Sequence, residues 1–469
     1  MKLPLLSLPA LVLLASCTHP VGPDHSTPAI NLPDRWNAST SPSSSPLAPD
    51  WWRAFNDPAL TKLEELALSS NHDLIAAMHR IDEAEASLRI ARADLLPSAN
   101  SNSSTQRSQQ SANNNQVPGF QPQAVSQFRT GATFNYELDL WGKVRRAADS
   151  RKASLESIIF ARDAVQLRLT SNLAEQYFSL RSLDAESAAA DQSLASLRSS
   201  LAVAETRYKG GLTSESDVLR ARSALSAAEA DASDLLNRRN LTNHTIAQLC
   251  GQPASSFQSP RNASLPSQIP EPPLNSPASL LLQRPDIAEA ERTLASRSAD
   301  IGVAIGQSLP SLKLNGSLSL ESLTLSDLLT KGSRAFSLGP EISLPVFSGG
   351  ANDARIAAAK ARHTEAAANW RQAVLTAVRE VEDALASQSS ARLIEQQQRA
   401  RTDAAARNAV LSLERYRNGL VNFLEVADAQ QEELSAHRAL VKATASRLSA
   451  SIALIKALGG GWQPHAPHP

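Results

Sequence analysis

The 469-residue chain has little cysteine, few aromatic residues and no excess of either charge. Two cysteines exclude a disulfide scaffold and any cysteine-rich metal site. The 46 basic and 46 acidic residues balance, which argues against nucleic acid as a partner, because phosphate binding requires a basic surface. Aromatic residues make up only 4% of the chain, which is low for a protein with one large compact core. These shortages indicate an elongated helical protein more than a globular enzyme.

The sequence also lacks the patterns of catalytic and metal sites. The nine histidines are scattered without a metal-binding spacing, and no metal or cofactor is predicted. The triglycine at 459–461 follows a predicted helix and has no lysine, so it is interpreted as a helix end and not as a phosphate loop. After the N-terminus no apolar run reaches about 18 residues, which argues against membrane-spanning helices. The chain is therefore predicted not to be an enzyme.

The N-terminus carries an export signal, predicted at residues 1–16. A basic start and a short apolar stretch lead to Leu14-Ala15-Ser16-Cys17. This motif resembles a bacterial lipobox, in which the cysteine is acylated, with palmitate among the expected chains; the alternative is a plain signal peptide that contains a cysteine. Thr18 is not the aspartate that would suggest inner-membrane retention, so Cys17 is predicted to be an anchor in outer-membrane lipid. Residues 17–56 are predicted to be an extended segment along the folded body.

The most informative feature is an internal duplication, in which five landmarks recur in the same order. We interpret residues 57–251 and 276–461 as two copies of one unit, with a linker at 252–275 and a tail at 462–469. The paired landmarks are Asp73 with Asp286, Leu95–Ser98 with Ser308–Ser311, Leu138–Gly142 with Leu344–Ser348, Arg207–Leu212 with Arg415–Leu420, and Ile246–Gly251 with Ile455–Gly460.

Each copy is predicted to contain a helix, two strands, a long helix and a further helix. Helices are expected to begin at Asp57-Pro58 and Ser276-Pro277, where an N-cap candidate precedes proline, and to end at Pro97 and Pro310. The first copy is expected to have helices at 58–95 and 213–249. Heptad spacing predicts two long helices, at 145–209 and 350–417, which would suit the wall of a cylinder. The heptad positions are Leu194, Leu197, Leu201, Ala204 and Tyr208, and Val374, Val378, Val381 and Leu385.

Alternating apolar residues predict strands that pair in a membrane. The alternation runs from Phe128 to Leu140 and, less regularly, from Leu312 to Leu320, and a polar strand is expected at 98–108. Four strands in one chain cannot close a membrane barrel, which needs about eight. The free edges are therefore expected to be closed by other subunits. The predicted fold class is mostly α with a membrane β-barrel portion.

Four motifs together resemble those of the TolC-like outer-membrane factors, in particular the NodT-type lipoproteins of resistance-nodulation-division efflux pumps. The motifs are Trp51-Trp52 with Asp57-Pro58, residues 282–287, Ala299–Ala304, and Leu344–Phe347 with Gly349-Gly350. The resemblance extends from Cys17 to about Gly461. It implies a homotrimer whose twelve-stranded barrel in the outer membrane is continuous with a twelve-helix periplasmic tunnel. It also implies two partners, a periplasmic adaptor (membrane fusion) protein and an inner-membrane pump.

The function implied by this resemblance is that of a passive exit duct for drugs or other small toxic compounds. The duct would be opened by contact with the adaptor and the inner-membrane pump. Two alternatives stay open: an outer-membrane duct for type I protein secretion, and a structural coiled-coil lipoprotein of the envelope. The amphipathic strands favour a duct, because a structural brace needs no barrel.

Two turns, at 209–214 and 417–422, follow the predicted long helices. Gly211 and Gly419 supply the backbone freedom that a tight turn requires, although ordinary turns contain glycine too. The resemblance places both turns at the periplasmic end of the tunnel. It implies a surface for the adaptor, made of Arg207, Tyr208, Gly211, Leu212, Ser214, Arg415, Tyr416, Gly419 and Leu420.

Acidic residues follow the second turn. Glu425, Asp428 and Glu432 share one helix face by their spacing. The resemblance implies that Glu425 and Asp428 form an acidic gate, because a carboxylate on the inner face becomes a ring in a trimer. The family more usually has aspartate where this chain has Glu425. The alternative is a solvated acidic helix face without a role in gating.

Overall fold

The computed structural model describes residues 20–37, 47–111, 113, 123–266, 269–270 and 277–463. The predicted signal peptide, Cys17 and Ser276 lie outside these residues. The chain divides into two compact units. The first contains the described residues of Met1–Ala29, Arg80–Ile158 and Glu289–Trp370, and the second those of Ile30–His79, Ile159–Ala288 and Arg371–Pro469.

The described part of the chain is mostly helical and follows a similar order of elements twice. The first half contains α1 (Pro58–Ser70), α2 (His72–Ala93), β1 (Ser98–Ser108), β2 (Val125–Leu138), α3 (Lys143–Lys209) and α4 (Glu215–Leu249). The second half contains α5 (Leu280–Gln283), α6 (Pro285–Gly306), β3 (Ser311–Ser322), β4 (Arg334–Ser343), α7 (Ala351–Arg417) and α8 (Phe423–Ala457). Among the described helices, none is long and apolar enough to cross a membrane.

The two long helices are confirmed as α3 and α7, each within two residues of its predicted bounds. Most of their heptad positions are buried, as a packed seam requires. The buried positions are Leu194, Leu197, Ala204, Val374, Val381 and Leu385. Leu201 and Val378 are half-buried. The side chain of Tyr208 is exposed, although its spacing predicts a place in the seam.

The prediction of one helix over 58–95 is wrong, because Asn71 separates α1 from α2. The Asn71 side-chain amide donates to the carbonyl oxygen of Leu249 at 2.9 Å, and its oxygen accepts from the Leu74 amide at 3.0 Å. Asn71 therefore joins the two helix ends to the end of α4. Helices α2 and α6 also end earlier than predicted, at Ala93 and Gly306.

The first helix of the second copy is also interrupted, whereas the prediction is one helix from Ser276-Pro277 to Pro310. Pro277 begins a 3-10 turn, α5 follows for one turn, and α6 starts only at Pro285. Arg284 lies at the break, because the residue before proline is disfavoured in a helix. Its buried guanidinium donates to the Ala457 carbonyl oxygen at 2.9 Å and pairs with Glu380 at 2.8 Å. This network ties the break to α7 and to the end of α8.

The predicted N-cap at Asp57 is confirmed. One carboxylate oxygen accepts from the amides of Ala59 and Leu60, at 2.9 and 3.2 Å. The other accepts from the Tyr177 hydroxyl at 2.8 Å and from Arg181 at 2.9 Å. One side chain thus caps α1 and binds α3. The preceding aromatic turn packs in a buried cluster, whose members are Trp51, Trp52, Phe55, Phe178, Leu448, Ile452 and Ile455.

Residues 20–29 form an extended segment in the first unit, as predicted for this part of the N-terminal region. The Arg146 guanidinium donates to the Val21 carbonyl oxygen at 3.1 Å and to Asp24 at 2.7 Å. Further along, His25 Nε2 lies 2.5 Å from a carboxylate oxygen of Glu291 on α6. These polar contacts hold the segment on α3 and α6. Residues 20–29 themselves form no strand or helix.

From the second strand of each half onward, the two halves correspond residue by residue at a constant offset. Adding 208 to the bounds of α3 and α4 gives those of α7 and α8. Gly142 and Gly350, also 208 apart, both have positive φ, 74° and 83°. The landmark pairing of Leu138–Gly142 with Leu344–Ser348 is therefore wrong by two positions, and the partner segment is 346–350. Gly251 likewise corresponds to Gly459 and not to Gly460, which is a shift of one position.

The four strands form one antiparallel sheet in the order β1-β2-β3-β4. Its register places the apolar residues of three strands on one face, and the opposite face carries polar side chains. The apolar face includes Phe134, Leu314, Leu318, Phe336, Leu338 and Ile342, all of them exposed in the single chain. The polar face includes Asn135, Asn315, Ser317, Glu341 and Ser337. The sheet is thus amphipathic, as the alternation in β2 predicts.

Candidate functional site: the paired helix turns

Both long helices end in the same hydrogen-bonded turn. At the end of α3 the Leu212 amide donates to the Arg207 carbonyl oxygen, and the Gly211 amide donates to that of Tyr208, each at 2.9 Å. At the end of α7 the amides of Leu420 and Gly419 repeat both bonds at 2.9 Å. This pair of bonds is the Schellman motif, which requires a left-handed residue after the helix.

Glycine occupies that left-handed position in both turns. Gly211 has a φ of 69° and Gly419 a φ of 76°. Apart from the glycine and its chain neighbours, the described residues place no atom within 4 Å of the Cβ that a side chain would add at either position. The requirement for glycine therefore comes from the backbone angle and not from crowding. The leucine after each glycine is exposed, Leu212 to 71% and Leu420 to 69%, so both turns present an apolar side chain to their surroundings.

The structure brings the two turns together through Arg207 and Tyr416. Arg207 donates to the Tyr416 carbonyl oxygen at 3.1 Å, and its guanidinium carbon lies 4.9 Å from the centre of the tyrosine ring. The other side of the cluster holds Phe423, whose ring centre is 5.7 Å from that of Tyr416 in an edge-on arrangement. Burial raises the pKa of the Tyr416 hydroxyl, and the charge of Arg207 opposes that rise. Ala204, Val218, Ala221 and Val426 complete this small core.

The two turns have different surroundings despite their matching sequences. Tyr416 is only 2% exposed, whereas its equivalent Tyr208 is 45% exposed. The two arginines differ in the same way, because Arg207 reaches Tyr416 while Arg415 pairs with Glu425 at 3.0 Å. The sequence predicts equal roles for both copies of the motif. The structure instead gives the second tyrosine a place in the core and leaves the first one accessible.

The helices after the turns begin differently as well. Ser214 stands at the N-cap position of α4, but its side chain makes no capping hydrogen bond. Thr213 instead hydrogen-bonds the carboxylate of Asp217 in the first turn of that helix. At the start of α8 the side chain of Asn422 accepts from the Glu425 amide at 3.3 Å. Ser214, which the resemblance includes in the adaptor surface, is therefore exposed and has no capping bond that would hold its side chain in place.

The acidic residues after the second turn lie on α8 and have separate partners. Glu425 is engaged by Arg415, and Glu432 pairs with Arg401 at 2.9 Å. Asp428 is exposed between them. Burial raises the pKa of Glu433, and nearby His437 opposes the rise. Glu425 and Asp428 therefore share an exposed helix face, and the charge of Glu425 is offset within its own chain.

Sequence reasoning missed two features of the second unit. Phe423 and Val426, three positions apart in the first turn of α8, are both buried. A search for apolar residues with this spacing after each turn would have found them. Glu64 gave no such signal. It lies buried on α1 among apolar residues, neither carboxyl oxygen has a hydrogen-bond partner among the described groups, and burial raises its pKa to about 9. Burial, with the charge of Glu64, also raises the pKa of the Cys250 thiol to about 11.

No group of three or more histidine, cysteine, aspartate or glutamate side chains in the described ranges could hold a metal ion. Of the two cysteines, Cys250 is a buried free thiol, and Cys17 lies outside the described residues. The paired turns thus offer exposed apolar and charged groups on a fixed backbone, which is the chemistry of a binding surface.

Comparison with known proteins gives four consistent similarities. The family described as outer membrane efflux protein matches residues 63–252 and 277–460. The outer membrane protein OprJ of Pseudomonas aeruginosa is 29% identical, over 98% of this chain and 97% of its own. The pyoverdine export outer membrane protein OpmQ of Pseudomonas putida is 31% identical, over 98% of each chain. The solved structure of the outer-membrane channel OprN superposes with a TM-score of 0.85 at 32% identity, over 95% of this chain and 100% of that one.

Proposed function

Because this chain belongs to the outer membrane efflux protein family, we propose that three copies of it form the exit duct of a tripartite efflux pump. The sheets of three chains close a twelve-stranded barrel in the outer membrane, and the helices continue it as a periplasmic tunnel. The duct passes drugs or other small toxic compounds. It works with a periplasmic adaptor and an inner-membrane resistance-nodulation-division pump. Each chain of the trimer consists of two tandem copies of one unit, 57–251 and 276–461.

The observation that carries this proposal is the amphipathic four-stranded sheet. Its apolar face is exposed in the single chain, and its strands are 10 to 14 residues long. Strands of about this length cross a bilayer when tilted. The outer strands β1 and β4 have no partner on their second side in the described chain. Lipid does not tolerate unpaired backbone groups, so the edges require neighbouring sheets.

The direct test measures the number of chains and the conductance of the same preparation. Detergent-extracted protein should contain three chains by light scattering, and it should conduct ions in planar bilayers. A monodisperse monomer would contradict the shared barrel. A trimer that never conducts, even with adaptor and pump present, would favour the structural coiled-coil lipoprotein. Cells that lack the protein should accumulate small toxic compounds, whereas loss of a secreted protein alone would favour a type I secretion duct.

The paired turns are proposed as the contact surface for the periplasmic adaptor. Leu212, Leu420 and Tyr208 are exposed, and the hydrogen-bonded turns fix the backbone at both leucines. Exposed apolar groups on a fixed backbone lose little conformational entropy on binding. Cysteines at Leu212 or Leu420 should crosslink to the adaptor in cells. A cysteine at Leu329, which is exposed in the loop between β3 and β4, is the matched control and should not crosslink.

We also propose that Cys17 carries the lipid anchor and that Glu425 and Asp428 line the closed tunnel mouth. Fatty-acid labelling should mark the wild type and not Cys17→Ser; labelling that survives the substitution would exclude this site. The barrel inserts by itself, so the variant should keep part of its outer-membrane location. The acidic residues at the mouth should also make the channel selective for cations.

A further inference from the structure

The segment after β4 is exposed although its equivalent in the first half is part of the sheet. Leu344 and Val346 belong to no strand of the chain, and Val346 is 89% exposed. At an offset of 208 they correspond to Tyr136 and Leu138, the last residues of β2. Those two residues pair with Leu314 and Leu312 of β3. The same backbone positions are thus paired in one half and unpaired in the other.

The two hairpins confirm that this offset holds within the sheet. The β1–β2 ladder ends where Ser98 pairs with Asn135, and the β3–β4 ladder ends where Ser311 pairs with Ser343. Asn135 and Ser343 are 208 positions apart, and Ser98 and Ser311 are 213 apart. The hairpins therefore have the same register. In the first half, β2 continues for three residues past this point, because β3 lies on its other side.

We infer that Leu344–Val346 are the final residues of β4 and form a ladder with Ala99–Ser101 of a second copy of this chain. Transferring the β2–β3 register by the two offsets places Val346 opposite Ala99 and Leu344 opposite Ser101. The same register continues along the edge and places Ile342 opposite Ser103. This inference rests on the proposed trimer and specifies how its subunits join.

Two properties of the edges agree with this register. The sheet has four antiparallel strands, so β4 and the β1 of a second copy meet antiparallel and continue the existing sheet. Ser101 and Ser103 lie on the same sheet face as Ala132, which is also the face of Phe336 and Ile342. The transferred pairing therefore keeps the apolar face of β4 continuous with that face of β1; a shift by one residue would not.

The charged and proline residues of the edges are also compatible. Arg107 of β1 comes opposite Leu338, and Glu341 of β4 comes opposite Ser104, so no like charges face each other. Pro340 and Pro345 are an odd number of positions apart. Because successive amides of a strand point to opposite edges, at most one of them removes a donor from the new ladder.

Disulfide crosslinking measures the register directly. Residues opposite each other in an antiparallel pair have Cβ atoms about 4.5–5.5 Å apart, and diagonal neighbours are about 7–8 Å apart. Leu344→Cys combined with Ser101→Cys should therefore form covalent dimers and trimers on oxidation. Leu344→Cys combined with Ala99→Cys or with Ser103→Cys, shifted by two residues, should form far fewer. The wild type, whose Cys250 is buried, gives the background.

The outcomes separate this register from the proposed function. Preferential crosslinking of a shifted pair in an oligomer would overturn the register and leave the trimeric duct standing. An oligomer in which none of the three pairs crosslinks would overturn the pairing of Leu344–Val346 altogether. Monomeric protein in light scattering would contradict the inference and the proposed duct together. Crosslinking of Leu344 with Ser101 into a covalent trimer supports both.

Discussion

Arg207 crosses from the first helix turn to the second and covers the ring of Tyr416, with its guanidinium carbon 4.9 Å from the ring centre. The same side chain donates to the carbonyl oxygen of Tyr416 at 3.1 Å. Neither contact has a counterpart in the repeated motif, because Arg415 turns to Glu425 and Tyr208 is exposed. One arginine therefore holds the two turns against each other.

Arg207→Ala should lower the stability of the paired turns more than Arg415→Ala does. The first change removes a cation–π contact and a charged hydrogen bond beside a buried ring, together about 1–3 kcal/mol. The second removes an exposed ion pair, which contributes about 0–1 kcal/mol. Hydrogen exchange of the amides of residues 204–221 and 413–426 measures the difference. Equal exchange rates in both variants would show that the stacking contributes nothing.

Gly419→Val should strain the second turn, because valine must adopt a φ near 76°. A β-branched residue in this region costs about 1–2 kcal/mol or more. The matched control is Gly210→Val, whose φ is not positive and whose added Cβ meets only ordinary contacts. Crosslinking to the adaptor from Leu420→Cys should fall in the Gly419 variant and persist in the control, and both should assemble in the membrane. An unaffected Gly419 variant would mean that the turn has no role in adaptor binding.

Glu64→Gln should change how stability depends on pH. The folded-state pKa of Glu64 is raised from 4.5 to about 9, so the folded protein keeps a proton that the unfolded chain releases. The proton on Glu64 therefore contributes to the free energy of unfolding. Its contribution is complete below pH 4.5 and is lost as the pH rises toward 9, by at most about 1.4 kcal/mol per pH unit. The difference in melting temperature between Glu64→Gln and wild type should therefore grow in favour of the variant from pH 5 to 9.

Glu65→Gln is the control for that experiment, because Glu65 is exposed on the same helix. Its melting temperature should follow the wild type at each pH. A Glu64→Gln curve parallel to the wild type would show that the carboxyl is ionised in the fold or reaches a partner, and it would contradict the assignment of a neutral buried acid.

Much of the fold was predictable because it depends on local patterns. Heptad spacing located α3 and α7, alternation located β2, and Asp57-Pro58 located the start of α1. The break at Asn71 was not predictable, because it depends on a hydrogen bond to Leu249, 178 positions away. Arg284 is similar, since its partner on α7 is distant in sequence.

The candidate site shows the same division. Gly211 and Gly419 were predictable, because only glycine readily supplies the left-handed angle that a Schellman turn needs. The different roles of Tyr208 and Tyr416 were not, because the two sequences around them are nearly the same. Only the packing of Phe423 and Arg207 around one of them separates the two tyrosines.

Ion selectivity tests the acidic mouth, and the Arg415–Glu425 pair sharpens the test. If Glu425 and Asp428 line a narrow opening in the trimer, their charges favour cations and the opening should be blocked by multivalent cations. Glu425→Gln with Asp428→Asn should lower both effects while the trimer stays assembled.

Arg415→Gln should do the opposite, because it removes the cation that lies 3.0 Å from Glu425 and leaves that carboxylate free. Arg401→Gln frees Glu432 in the same way, two turns further along α8, and serves as the control. An acidic face that is merely solvated predicts unchanged selectivity in all three variants, and that result would place the constriction elsewhere in the turns.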